Sequence, residues 1–133
     1  MSTVKLNPAN HFLLQKHHLT ENSQSDDVVK TIKDIFGLHA TSAITPYLSL
    51  FSRMRDFTFE KLNNELSVKK TLAKIRCVRK TVYIIPKNMI PSVFSATRKM
   101  LELISERHCK YLGVSKKQYE ELSKQIMEII KGK

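Results

Sequence analysis

Apolar residues recur at three- and four-residue intervals as far as Leu66, at alternate positions just before Pro86, and at helical intervals again to the end of the chain. That ordering predicts helices, then a strand pair, then helices. Asn7-Pro8 opens a first helix, because asparagine accepts an orphan N–H and proline suits the first helical position; this helix carries Phe12, Leu13 and Leu14. Residues 20–25 are a polar loop, and Ser25 caps a second helix with Asp26 and Asp27 in its first turn, where the helix dipole favours anions. Val28, Val29, Ile32, Ile35 and Phe36 share one face of it, and Gly37 supplies the stop. Thr45-Pro46 opens a third helix along Tyr47, Leu50, Phe51 and Met54; Thr58 caps a fourth, Phe59–Lys70, with Phe59, Leu62 and Leu66 inward.

The period then changes. In KIRCVRKTVYIIP, Ile75 and Cys77 alternate with Arg76, and Val82 and Ile84 with Tyr83, predicting a strand pair or one bent strand that ends at Pro86. Beyond it, Ile90, Val93, Phe94, Leu101 and Ile104 mark a long helix, and Ser115 with Gln118 forms a capping box for a last one carrying Tyr119, Leu122, Ile126 and Ile129. Tyr47, Phe51, Phe59 and Phe94 are spaced as core residues rather than as base-stacking groups. The expected fold is mainly α with a small β-hairpin: a winged helix-turn-helix with additional C-terminal helices. It forms one domain over residues 1–133, with its core in 7–107 and the C-terminal helix at 115–131. In that fold the element before the hairpin enters the major groove.

Composition narrows the class. A chain of 133 residues with 41% hydrophobic content has room for one core. It has no apolar run of membrane-spanning or signal-peptide length, which predicts a cytoplasmic protein away from membranes. Cys77 and Cys109 are then two reduced thiols. Charge adds more: 23 Lys and Arg stand against 12 Asp and Glu, a net of +11. From Leu66 to Leu101 there is no acidic residue, whereas Lys69, Lys70, Lys74, Arg76, Arg79, Lys80, Lys87, Arg98 and Lys99 are basic. A one-signed block points to a polyanion, here double-stranded DNA, although a lysine-rich solubilising surface has the same composition. The five histidines and two cysteines lack zinc-ligand spacing, and three glycines cannot build a phosphate loop, so neither metal nor cofactor is expected.

Two stretches carry a resemblance. GLHATSAITPYLSLFSRMRDFTFEKL and RKTVYIIP resemble the winged-helix DNA glycosylases of the AlkZ/YcaQ type. That family has a Gly-Leu-Gln-x-Gln or Gln-x-Asp stretch, a Pro-Tyr-Leu-x-Leu helix that includes an arginine, and an Arg-Gly-Thr-x-His strand ending in proline. The matching positions here are Gly37-Leu38-His39-Ala40-Thr41, Pro46–Leu50 with Arg53, and Arg79–Pro86, and the likeness spans residues 10–107. It implies that His39 and Thr41 stand where the catalytic polar pair of the family positions a water against C1′ of a damaged nucleotide. Histidine can act as a base near neutral pH, whereas threonine can only orient a water. Lys80 replaces the glycine and Tyr83 the histidine of the later motif. By spacing alone His39 and Thr41 belong to a helix end and a loop.

The expected function is DNA binding by a winged-helix domain of a glycosylase-like repair protein acting on alkylated or crosslinked bases. Arg53, Lys69, Lys70, Lys74, Arg76, Arg79, Lys80 and Thr81 would face DNA, with Arg79 and Thr81 on a strand and Arg53 holding a phosphate. Family members contain several tandem units, so the chain reads either as a fragment of such a protein or as a single-unit relative, and catalysis by these residues alone is not expected. The rival is a non-enzymatic regulator that binds DNA as a homodimer through the Ile90–Ile104 or the Tyr119–Ile130 helix. A third reading is a protein-interaction module whose last helix docks on a partner.

Overall fold

The computed structural model describes residues 7–132, apart from the side chain of Arg79. Helix α1 spans Pro8–Lys16, and the Asn7 side chain accepts the Ala9 N–H at 3.1 Å, as its sequence predicts. A single 3-10 turn follows at Glu21–Ser23. His18 holds this turn in place: its buried ring donates from Nδ1 to the Ser23 carbonyl at 2.5 Å, and Nε2 lies 2.9 Å from Asp34 Oδ2.

Helix α2, Val28–Asp34, starts two residues later than expected. Asp27, not Ser25, is its cap and accepts the Lys30 N–H at 2.9 Å, while Ser25 Oγ accepts the Asp27 N–H one step earlier. The aspartates therefore precede the helix rather than filling its first turn. At the other end, Phe36 N–H donates to Lys33 O and Gly37 N–H to Ile32 O, the paired bonds of a Schellman motif. The left-handed residue of that motif is Phe36, with φ 66°. Its ring is exposed, so it leaves the apolar face on which its spacing had put it.

Gly37 has a different role. Its φ of 120° and its closeness to the Val82–Pro86 strand deny it a side chain: a Cβ would lie 2.8 Å from Ile85 Cγ2 and 3.1 Å from Ile84 O. The chain then enters β1, Leu38–His39, a strand too short to show a period in the sequence. Helix α3, Thr45–Phe51, and α4, Phe59–Asn63, come next. Helix α4 does not run on to Lys70 as an α-helix. It widens into a π turn over Asn64–Val68, closed by Lys69 N–H to Asn64 O.

The hairpin is β2, Leu72–Arg76, and β3, Val82–Pro86, joined through a 3-10 turn at Val78–Lys80. The three strands form an antiparallel sheet in the order β1-β3-β2. Strand β3 is therefore central and packed on both faces. Ile84 belongs to a core with Val28, Ile32, Leu38, Leu50, Met54, Leu62 and Leu72. Ile85, one residue on and facing the other way, belongs to a second core with Cys77 and Val93. Ile32, Leu50 and Leu62 are fully buried, as their helical spacing requires. Phe51, Phe59 and Phe94 share that spacing and yet are exposed, Phe51 by 70%.

Two long helices complete the chain: α5, Ile90–Tyr111, and α6, Lys116–Lys131, which opens on the expected Ser115/Gln118 capping box. The described structure is mostly helical with one small three-stranded sheet. Its contacts divide it into two compact units, one ending at Ser95 and one beginning at Ala96, so the boundary falls inside α5 and ahead of the expected core limit at residue 107. No helix among the described residues is long and apolar enough to cross a membrane.

Candidate nucleic-acid interface

The hairpin distributes the 69–87 part of the basic block along its length, whereas Arg98 and Lys99 lie in α5. Residues paired across an antiparallel ladder share a face, and neighbours along a strand face oppositely. Lys74 pairs with Ile84 and Arg76 with Val82, so both lie on one face of edge strand β2, and both are exposed. Lys80 is exposed at the tip. Lys87 starts just past β3, where its N–H donates to Thr71 O, close to Lys69 and Lys70 at the other end of the hairpin. Five residues of strand separate the ends, about 17 Å.

Other members of the expected set, Lys69, Arg53, Arg79, Thr81 and Arg76, are placed or engaged differently. Lys69 Nζ lies 2.6 Å from Glu65 Oε1, and Thr71 Oγ1 donates to the other oxygen of that carboxylate. Glu65 sits one residue before the acid-free block, so the sequence pattern had not counted it. The hydrogen bond from Lys69, helped by Thr71, holds the Glu65 carboxyl below its usual range. Arg53 is half-buried and turns back on the preceding helix, α3: Nη1 donates to Ser49 O at 2.9 Å, to Ser49 Oγ and to Ser52 Oγ at 3.0 Å. It caps the last turn of α3 rather than reaching outward. Its Nε is buried without a hydrogen-bond partner, and burial lowers its pKa from the usual arginine range. Arg79 and Thr81 are not strand residues. Arg79 lies in the 3-10 turn, and Thr81 follows it with its hydroxyl donating to Val78 O at 2.8 Å. Arg76 Nε donates to Lys80 O at 3.2 Å and closes the same turn.

His39 and Thr41 do come together. Thr41 Oγ1 lies 3.3 Å from His39 Nε2 and accepts the Val82 N–H at 3.4 Å, which leaves the hydroxyl proton free to donate to the imidazole. The ring of Tyr83, cross-strand partner of His39, meets the imidazole edge-on with centroids 5.5 Å apart. The sequence marks Tyr83 as a strand residue and as a departure from a motif, but its contact with His39 exists because β1 pairs with β3. Leu38 shares its face with Ile84 and hence with Lys74, so His39 projects from the opposite face and from the opposite edge of the sheet. The polar pair reaches the start of β3, where Ala40 N–H donates to Val82 O beside Thr81. Among the described residues no cluster of three or more His, Cys, Asp or Glu could hold a metal ion. In comparisons with known proteins, no family model, no curated protein and no solved structure matches the chain.

Proposed function

We propose that the chain binds double-stranded DNA as a winged helix, with the 59–68 segment facing the groove and the hairpin as a basic wing along the backbone. Element order supports this reading: a helix, a short strand, two helices, then a hairpin whose β3 takes the short strand on its far side. The observation that carries it is the exposure of Lys70, Lys74, Arg76, Lys80 and Lys87 along one hairpin within a stretch free of acids. Such contacts supply affinity through counterion release rather than base reading. In a titration of duplex DNA followed by fluorescence anisotropy, five phosphate contacts give a slope of log affinity against log salt of about −4.5. Affinity that barely responds to salt would overturn the proposal.

The resemblance extends it to a glycosylase-like protein acting on alkylated or crosslinked bases. Support comes from the contact between Thr41 and His39, both exposed, which leaves two polar groups in reach of one water. A cationic alkylpurine leaves readily, so a hydrogen-bonding pair suffices in place of a strong base. His39→Ala, made in the full-length multi-unit protein that the resemblance implies, should then reduce release of alkylated purine while DNA affinity stays within twofold or so. Undiminished release removes His39 from the reaction.

A further inference from the structure

Helix α6 has no buried residue, although its apolar side chains Tyr119, Leu122, Ile126 and Ile129 are 47–64% exposed along one stripe. Their spacing of three, four and three residues is the a/d repeat of a two-helix seam, and Ile130 widens it. We infer that α6 is a self-association helix, through which two copies of this chain pair seam to seam. The inference goes beyond the DNA-binding reading and stands without it.

Charge selects the occupant. The polar face of α6 carries Lys116, Lys117, Lys124 and Lys131 against Glu120, Glu121 and Glu128, so it offers no one-signed surface to an anionic membrane or to a strongly charged partner. The positions flanking the seam within the helix are Gln118, Ser123, Gln125 and Ile130, all uncharged; Lys116, at the first helical position, lies 3.9 Å from Glu120. In paired helices these flanking positions choose the partner by charge. A neutral set raises no barrier against an identical helix. For a chain of net charge +11, whose copies repel elsewhere, a nearly balanced helix is where two copies approach at least cost. Beside the seam, Val114, Gln118, Glu121, Leu122 and Gln125 line an open groove of about 330 Å³. Sixteen residues make a helix of about 24 Å, so the contact falls in the small, reversible class of interfaces.

Sedimentation velocity on the chain without DNA, from low to high micromolar concentration, tests the pairing. The expected result is a concentration-dependent shift from 15.4 kDa to twice that mass. Ile126→Glu should abolish the shift and Lys124→Glu, on the outer face, should leave it. Ile126 is half-exposed, so the variant should keep its helical circular dichroism; Ile129→Asn is the milder repeat should helicity fall. A chain monomeric throughout, as a different partner for α6 would leave it, overturns the inference. So does a dimer that survives both seam variants.

Discussion

Gly37→Ala isolates the close approach that positions the candidate site. At φ 120° a side-chain-bearing residue is strained by about 1–3 kcal/mol. The added Cβ would also lie 2.8 Å from Ile85 Cγ2, a methyl of a fully buried β-branched side chain, and 3.1 Å from Ile84 O, a backbone atom of the central strand; neither yields as a flexible side-chain tip would. Overpacking of this kind costs a further 1–3 kcal/mol or so, giving a total of about 2–6 kcal/mol. Gly113 is the internal control. It is also left-handed, at φ 69°, but nothing lies within 4 Å of its Cβ position, so Gly113→Ala should cost only about 1–2 kcal/mol. The chain contains no tryptophan, so urea unfolding is best followed by far-ultraviolet circular dichroism. Gly37→Ala should lower the midpoint at least twice as far as Gly113→Ala. Because β1 begins one residue later, the His39–Tyr83 contact should loosen as well, visible as a change in the His39 ring signals by NMR. Equal losses at the two glycines would refute the argument that β1 is pinned by contact with β3.

Two further substitutions test the electrostatics. Asp34 is held below its usual pKa chiefly by the Lys30 hydrogen bond, with His18 adding to it against the cost of burial. A depressed carboxylate stabilises the fold above its unfolded pKa of about 3.9 and loses that stabilisation as pH falls through its folded value. Asp34→Asn should therefore shrink the drop in urea midpoint between neutral pH and pH ~3, by an amount worth roughly 0.2–1 kcal/mol because the pair is partly exposed. An unchanged acid limb would remove Asp34 from the linkage. Glu65→Gln should release Lys69 for phosphate, steepening the salt slope by about one unit, whereas an unaltered slope would place Lys69 outside the interface.

Local chemistry was legible in the sequence wherever a few neighbours decide it. Asn7-Pro8 and the Ser115/Gln118 box open their helices as read, because a cap needs only its own first turn. Alternation around Ile75 and Ile84 marked the hairpin, and Ile32, Leu50 and Leu62 marked one face of each helix as core. Ser25 was misread as a cap because Asp27, two residues on, offers the same oxygen to a nearer N–H.

What only the tertiary structure decided is everything that depends on a distant partner. Two residues of β1 have no period, and their pairing with Ile84 and Tyr83 exists because β3 lies alongside. Phe51, Phe59 and Phe94 have the spacing of core residues, but spacing identifies a face and not whether another element covers it. Lys69 and Arg53, by contrast, were misplaced for a local reason: Glu65, four residues back, lies just outside the acid-free run, and Ser49 and Ser52, four and one residues back, offer Arg53 acceptors. His39 and Lys74 look like parts of one site along the chain. Strand parity sets them on opposite faces, because each step along a strand reverses the direction of a side chain.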